Sequence, residues 1–356
     1  MRLPGLIDVH VHMREPGAAH KEDWATGTAA ALAGGFTAVL AMPNTQPPVV
    51  DAPSFDLARM AARDRARCDH AQYVGATTDN AAVVAPLAES AAGLKIYLDP
   101  TYGPLRVDQL AALHSHFATW PDARPIAVHA EGAALATAIG LAAATGRSLH
   151  LCHVSRRDEI VLIRSAKELG LPVTCEVTPH HLFLSERDAR AIGRGLCEVR
   201  PPLATPADCA ALWENLDVID CFATDHAPHT YAEKTSLQPP PGFPGLETAL
   251  PLLLNAVREG RLGLDDLVAR LCHNPRRIFG LPEQPDTYVD VDLAAAVELG
   301  SETLHTRAGW TPFAGVKVRG RVRRVVLRGV EAFRDGQVLA PPGSGRDLRA
   351  ERTAGK

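Results

Sequence analysis

Histidine and carboxylate side chains recur at the ends of apolar segments in this chain. His10 and His12 lie in LIDVHVH, His129 lies in PIAVHAE, and Asp225 follows VIDCFAT. Side chains two residues apart on a β-strand share a face, so His10 and His12 should point the same way. Two hydrogen-bonded core histidines would give the same spacing. The pair alone therefore does not distinguish a metal site from a core.

Other segments end in residues of similar chemistry: Lys95 in LKIYLDP, Cys152 and His153 in SLHLCHVS, Glu176 in VTCEVTPHH, and His226 and His229 after Asp225. Imidazole and carboxylate are preferred zinc ligands. One ion could be held by His10, His12 and Asp225, and a second by His129 and His153. Lys95 lies in an otherwise apolar run, where an ammonium is costly to bury unless it reaches solvent or pairs with an acid.

The elements that must position these residues are apolar, β-branched runs separated by helical segments. Eight such runs occur, at 6–12, 36–44, 72–78, 94–100, 125–131, 148–155, 173–181 and 218–229. Alternating strands and helices over this length predict an α/β fold, a (β/α)8 barrel whose functional residues lie at the carboxyl ends of the strands. A doubly wound open sheet stays an alternative, but no G-x-G-x-x-G follows the first run.

Composition shifts divide the chain further. We expect the barrel to occupy residues 1–281, a small β-subdomain with a C-terminal extension to occupy 282–343, and the polar, Gly- and Arg-rich residues 344–356 to form a disordered tail or linker.

Overall composition excludes several classes of protein. The 356 residues are 46% hydrophobic and 22% charged, with a net charge of −4, which provides no electrostatic footprint for nucleic acid or an anionic membrane. The seven cysteines include no C-x-x-C pair, so a reducing compartment fits, and the cytosol is the expected location. The uncharged stretch 24–50 is broken by Gly and Pro and indicates a buried helix, turn and strand.

Several longer motifs resemble a known family. They are HVHMREPG at 10–17, AMPN at 41–44, GLKIYL at 93–98, HAE at 129–131, CHV at 152–154, DHAPHT at 225–230 and PPPGFPGLET at 239–248. Together they are similar to dihydroorotases of the amidohydrolase superfamily, most of all to the dihydroorotase domain of the animal multifunctional pyrimidine-synthesis protein. That protein also contains carbamoyl-phosphate synthetase and aspartate transcarbamoylase. The resemblance covers residues 2 to 343.

The resemblance implies a role for each matching residue. A carboxylated Lys95 would bridge two zinc ions, which would also remove the cost of burying its ammonium. The remaining implied roles are substrate-carboxylate binding by Arg14, Asn44 and His229, ring contact by Arg200 and Pro241, and a lid formed by Thr101 and Tyr102. An accessory zinc at Cys152 and Glu176 is also implied, although a buried thiol and a supporting carboxylate fit these two residues equally well.

The implied reaction is the reversible, zinc-dependent cyclisation of N-carbamoyl-L-aspartate to L-dihydroorotate. A bridging hydroxide would be the nucleophile for ring opening, and Asp225 the general acid and base. Arg14 favours a carboxylated ring over the substrates of another cyclic amidohydrolase, such as allantoinase or hydantoinase. A non-catalytic scaffold is the alternative from outside the enzymes. Self-association and fusion to neighbouring enzymes of the pathway are also expected.

Overall fold

Short buried strands alternate with helices along most of the chain. The structure is a computed structural model that describes residues 1–300 and 302–350. The strands are β1 (Arg2–Pro4), β2 (Leu6–Val11), β3 (Phe36–Ala41), β4 (Asp69–Gln72), β5 (Val74–Gly75), β6 (Leu94–Tyr97), β7 (Ile126–His129), β8 (Leu149–Leu151), β9 (Val173–Val177), β10 (Cys221–Phe222), β11 (Tyr288–Glu298), β12 (Lys317–Leu327), β13 (Val330–Arg334) and β14 (Gln337–Val338). The helices are α1 (Trp24–Ala33), α2 (Ala52–Arg65), α3 (Ala81–Val84), α4 (Leu110–Thr119), α5 (Ala133–Thr145), α6 (Arg157–Glu168), α7 (Pro179–Phe183), α8 (Ala189–Ile192), α9 (Pro206–Glu214), α10 (Tyr231–Lys234), α11 (Leu246–Arg258), α12 (Leu264–Val268) and α13 (Asn274–Phe279).

The parallel strands close into a barrel. β2 to β4 form one hydrogen-bonded set and β5 to β10 form another. β4 and β5 are consecutive parts of one barrel strand, interrupted at Tyr73, whose backbone N–H donates to the carbonyl of Ala41 at 3.0 Å. The first and last strands meet where the N–H of His12 donates to the carbonyl of His226 at 2.7 Å. The predicted (β/α)8 barrel is therefore confirmed, and the open-sheet alternative is wrong.

The predicted strands are all present, but most are shorter than their apolar runs. The third predicted strand begins earlier than expected, at Asp69. Its polar side chains find partners in the C-terminal part of the chain, since Gln284 Nε2 donates to the Asp69 carboxylate at 2.7 Å. The seventh predicted strand, β9, ends at Val177 because the next residue, Thr178, caps α7 by accepting the N–H of His181. His180 and His181 consequently lie on a helix.

A second, antiparallel sheet packs beside the barrel. Its strand order is β1, β11, β12, β13 and β14. β1 pairs with β11 through the register Arg2 to Asp290, so these first residues belong to the small sheet although the predicted division places them in the barrel. The chain thus crosses from the small sheet into the first barrel strand within a few residues.

The predicted disorder of 344–356 is wrong for residues 344–350. The N–H of Gly345 donates to Ala66 at 2.9 Å, and the N–H of Leu348 donates to His70 at 2.8 Å. Arg349 is fully buried and donates to the carbonyls of Phe279 and Gly280. The polar, Arg-rich composition predicts disorder, but it does not show that the Arg349 guanidinium binds carbonyls at the end of α13. Residues 351–356 lie outside the described residues.

The uncharged stretch 24–50 forms α1 and β3, joined by a glycine turn, as predicted. Within the ranges that the structure describes, no helix combines the length and apolarity needed to cross a membrane.

We expect Arg349→Ala to lower the free energy of unfolding by about 2 kcal/mol, because two buried carbonyls lose a charged donor. Urea denaturation followed by fluorescence would measure the change. Arg323→Ala is the matched control, since Arg323 pairs with Asp335 on the surface, where both side chains are 48% exposed and the pair contributes little. Equal stability of the two variants would show that the C-terminal segment does not stabilise the barrel.

Candidate active site

The barrel brings the predicted chemical residues to one rim. His10 lies in β2, Lys95 in β6, His129 at the end of β7, and Glu176 in β9. His12, Cys152, His153 and Asp225 lie within three residues of the ends of their strands. All of these side chains are buried, with relative exposures no higher than the 7% of His12. The strand ends thus meet as predicted, inside a nearly closed cavity.

Three side chains converge on one point in this cavity. His10 Nε2 lies 3.2 Å, and His12 Nε2 3.1 Å, from Oδ1 of Asp225. The Nδ1 atoms are engaged elsewhere: that of His10 donates to Glu176 at 2.5 Å and that of His12 to Asn44 Oδ1 at 2.6 Å. Burial lowers the pKa of His12 to about 4, so its ring is neutral near pH 7 and its Nε2 presents a lone pair. Lone pairs that converge on a carboxylate oxygen fit a cation between them.

A second pair of histidines lies beside the first group. His129 Nδ1 is 2.8 Å from His153 Nε2. The outer atoms, Nε2 of His129 and Nδ1 of His153, are buried and lack a hydrogen-bond partner among the described residues. Burial, and then the charge of Lys95, lowers the pKa of His129 to about 3, which keeps it in the neutral form that binds metal. The donor set therefore fits divalent metal at both predicted positions.

Lys95 and Cys152 lie under this cluster. Lys95 is fully buried, and its Nζ donates to Cys152 Sγ at 2.9 Å. No carboxylate of the described residues forms an ion pair with it, so neither solvent nor an acid relieves the burial of this ammonium. Glu176 is engaged by His10 and by His150 Nε2, at 3.0 Å. Ligand atoms of His10, Cys152 and Glu176 lie within 4.8 Å of one another, which also permits a metal there.

The same cavity is lined by most of the predicted substrate-binding residues: Arg14, Asn44, Thr101, Tyr102, Arg200 and Pro241. Arg14 is buried; its Nε donates to Pro228 O at 3.1 Å, whereas its Nη1 lacks a partner among the described residues. His229 lies beside it, with Nε2 3.1 Å from Arg14 Nη2 and from Pro241 O. An unpaired buried guanidinium nitrogen beside neutral imidazole fits a carboxylate ligand.

The loop that contains Thr101 and Tyr102 closes over this cavity. Asn44 Nδ2 donates to the carbonyl of Tyr102 at 3.1 Å, and Lys21 Nζ donates to the Tyr102 hydroxyl at 3.0 Å. Asn44 is thus occupied by His12 and the lid, so any contact with a substrate carboxylate requires it to exchange a partner.

Lys21 and His150 also contact the site, although neither was predicted from the sequence. Lys21 follows the HVHMREPG motif in a polar stretch where one lysine among charged residues has no distinguishing pattern. His150 does have a signal, since it lies two residues before Cys152 and shares its strand face. His181 has a structural role: its Nδ1 bonds Thr178 Oγ1 at 2.8 Å and its Nε2 bonds Pro201 O at 3.1 Å.

Comparison with known proteins agrees with this geometry. A family model described as dihydro-orotase-like matches residues 1–94. Multifunctional protein CAD of Squalus acanthias is 59% identical over 350 residues, 98% of this chain and 16% of that protein. A dihydroorotase of Pyrococcus abyssi is 36% identical over 361 residues, 96% of this chain and 85% of that protein. The chain belongs to the dihydroorotase family. This confirms the resemblance carried by the motifs.

Members of the dihydroorotase family occur both alone and within longer proteins. The chain spans only 16% of the length of the CAD protein and of pyr1-3 of Dictyostelium discoideum, which is 52% identical over 352 residues. Against the shorter archaeal dihydroorotases it spans most of the relative.

Solved structures confirm the barrel of the dihydroorotase family. An L-hydantoinase (dihydropyrimidinase) from Arthrobacter aurescens aligns with a TM-score of 0.93 at 26% identity, covering 98% of this chain and 88% of that one. An inactive dihydroorotase-like domain of a Chaetomium thermophilum CAD-like multifunctional protein aligns with a TM-score of 0.84 at 32% identity, covering 98% and 99%. The fold therefore does not decide activity, which depends on the residues of the site.

We expect metal-free protein to gain thermal stability when Zn²⁺ is added, because the ion binds the folded site alone. His153→Ala should reduce the zinc bound per chain, measured by atomic absorption after dialysis, since a ligand is lost. His114→Ala is the control, because that side chain is exposed on α4 and belongs to neither histidine group. Unchanged zinc content in His153→Ala would remove this residue from the ligand set.

Proposed function

We propose that this chain is a zinc-dependent dihydroorotase, which cyclises N-carbamoyl-L-aspartate to L-dihydroorotate reversibly in de novo pyrimidine synthesis. Membership of the family supports the reaction class. The observation that carries the choice of substrate is the buried Arg14, whose unpaired Nη1 lies at the wall of the His and Asp cluster. A carboxylated cyclic amide would place its carboxylate on Arg14 and its reacting bond at the cluster.

Two zinc ions are the proposed cofactors. His10, His12 and Asp225 would hold one ion, and His129 and His153 the other. When bound, the ions polarise the amide carbonyl and make water acidic enough to supply a nucleophile near neutral pH. A carboxylated Lys95 would be the bridging ligand. Carboxylation converts the buried ammonium into an anion next to two cations, which accounts for a lysine with neither solvent nor an acid beside it.

Asp225 is the proposed general acid and base. Its contacts with His10 and His12 both use Oδ1, which leaves Oδ2 to exchange a proton with reactants in the cavity. During ring opening it would accept the proton of the attacking water and return it to the leaving ring nitrogen. During ring closure the same residue would act in reverse, as microscopic reversibility requires.

The remaining predicted residues would bind and enclose the substrate. Arg14 and His229 present nitrogen atoms to one corner of the cavity, where the carboxylate would lie. Arg200 and Pro241 also line the cavity and would contact the ring. Thr101 and Tyr102 would exclude water once the loop closes, and Asn44 would join the carboxylate by releasing the lid carbonyl.

The accessory zinc at Cys152 and Glu176 stays a prediction. Binding an ion there would require Cys152 to give up its contact with Lys95, and Glu176 to give up those with His10 and His150. Self-association, cytosolic location and attachment to carbamoyl-phosphate synthetase and aspartate transcarbamoylase are likewise proposals. The multifunctional relatives support the last of them.

Replacing Lys95 tests the bridge. Lys95→Met keeps an unbranched side chain of similar size, so the metal-free protein should keep or gain stability, because an uncarboxylated buried ammonium is replaced by an apolar group. Activity should fall by at least a hundredfold, on the order expected for removing a bridging ligand and its charge. Lys167→Met, which removes a lysine paired with Asp220 away from the site, is the control. Intact-mass analysis of active, zinc-loaded protein with unmodified Lys95 would refute the carboxylation.

Replacing Arg14 tests the substrate class. Arg14→Met should reduce turnover of dihydroorotate by roughly ten- to over a hundredfold, since a charge-assisted contact with the carboxylate is worth about 1.5 to 3 kcal/mol. Dihydrouracil is the same ring without the carboxylate, so any trace hydrolysis of it should be nearly unchanged. Arg147→Met removes a guanidinium outside the cavity and serves as control. A wild-type preference for dihydrouracil would point to a hydantoinase, and absence of both activities in the zinc-loaded protein would point to a scaffold.

A further inference from the structure

Lys21 lies next to the proposed substrate site, yet it lies outside both the metal cluster and the wall of the cavity. It follows β2 in the loop before α1, and it is 5% exposed. Its Nζ has three polar neighbours: Glu233 Oε1 at 2.9 Å, the Tyr102 hydroxyl at 3.0 Å and His229 Nδ1 at 3.1 Å. An ammonium has three N–H bonds and no lone pair, so it can only donate to these atoms.

This contact and the carbonyl of Pro241 beside Nε2 together indicate which nitrogen of His229 bears the proton. Because Lys21 donates to Nδ1, that atom must present its lone pair, and the proton of the neutral ring lies on Nε2. A second contact agrees, since Nε2 is 3.1 Å from the carbonyl of Pro241, which can only accept. Burial, followed by the charges of Arg14 and Lys21, holds the pKa of His229 far below its usual range, so the ring stays neutral.

The tautomer decides what His229 can bind. Arg14 Nη2 lies 3.1 Å from Nε2, and both atoms are then donors, so they cannot bond each other. Two neighbouring donors beside the unpaired Arg14 Nη1 suit an anion, which would take the Nε2–H of His229 from the carbonyl of Pro241. In the other tautomer, the Nε2 lone pair would face the anion and repel it.

We propose that Lys21 is a positioning residue that holds His229 in its Nε2–H tautomer, so that His229 and Arg14 together donate to the carboxylate of the substrate. The proposal rests on the proposed function for the identity of that carboxylate. Lys21 itself stays paired with Glu233, so its effect on the substrate passes through His229. Its third hydrogen bond, to Tyr102, ties the same ammonium to the lid.

Nuclear magnetic resonance reads the tautomer directly. Long-range proton–nitrogen spectra of zinc-loaded protein labelled with ¹⁵N-histidine should show His229 protonated at Nε2, with the signal assigned by its loss in His229→Gln. In Lys21→Met the ring should lose this preference and show mixed or Nδ1 protonation. Wild-type protein with Nδ1–H at His229 would overturn the proposal, whether or not any variant folds.

Kinetics separate positioning from general stability. Lys21→Met should raise KM for dihydroorotate by about ten- to a hundredfold, the range for losing a hydrogen bond to a charged group, with a smaller change in kcat. Lys21→Arg keeps a charged donor and should recover part of the loss. Lys167→Met makes the same chemical change at another ion pair and should leave KM unchanged.

Glu233→Gln provides the sharpest control. It breaks the ion pair but leaves Lys21 able to donate to His229, so both the tautomer and KM should stay near the wild-type values. If this variant raises KM as much as Lys21→Met, or if His229 keeps Nε2–H without Lys21, the positioning role is wrong. A wild-type protein inactive towards dihydroorotate would instead refute the proposed function, while the spectra would still decide the role of Lys21.

Discussion

The exclusion of water from the carboxyl end of the barrel controls the chemistry of every residue in the site. Desolvation lowers the pKa of His12 to about 4 and that of His129 to about 3, which keeps both imidazoles neutral and able to bind metal. The same desolvation makes an unmodified Lys95 ammonium costly, and it strengthens each hydrogen bond that orients a ligand. A more open rim would weaken all of these effects at once.

The barrel sustains this dry cluster with a second layer of polar groups. Asp8 accepts the N–H of His10 at 3.1 Å and the hydroxyl of Thr224 at 2.5 Å, so it joins the first strand to the segment after the last one. Burial raises its pKa to about 7. The backbone is also strained at the rim: Arg14, His153 and Asp225 have positive φ values of 57°, 36° and 45°. Such conformations cost of order 1–3 kcal/mol each and persist where surrounding contacts enforce them.

The groups proposed to select the substrate lie in the loops beyond the strand ends. The hydantoinase that aligns with this chain has the same fold, so the barrel does not specify the ring that is bound. The groups suited to a carboxylate, Arg14 and His229, lie on loops after β2 and β10, and Lys21 joins both loops to the lid through His229 and Tyr102. Loops on a rigid barrel can change specificity while the metal-binding residues on the strands stay in place.

The sequence by itself determined the barrel and the place in it of the candidate metal-binding residues, because both follow from local patterns. Strand-length apolar runs predict βα units, and in a parallel barrel the carboxyl ends must meet, so His10, His129 and Asp225 could be placed on one rim without coordinates. The long motifs placed Arg14 and Tyr102 at the same rim. The order of the C-terminal residues and the role of Lys21 depend instead on contacts between distant segments. Residues 344–350 were predicted to be disordered because nothing local shows that Arg349 reaches the carbonyl of Gly280. Lys21 was missed for the same reason: its significance lies in the partners Tyr102, His229 and Glu233, up to 212 residues away, and only the folded chain brings these groups within hydrogen-bonding distance.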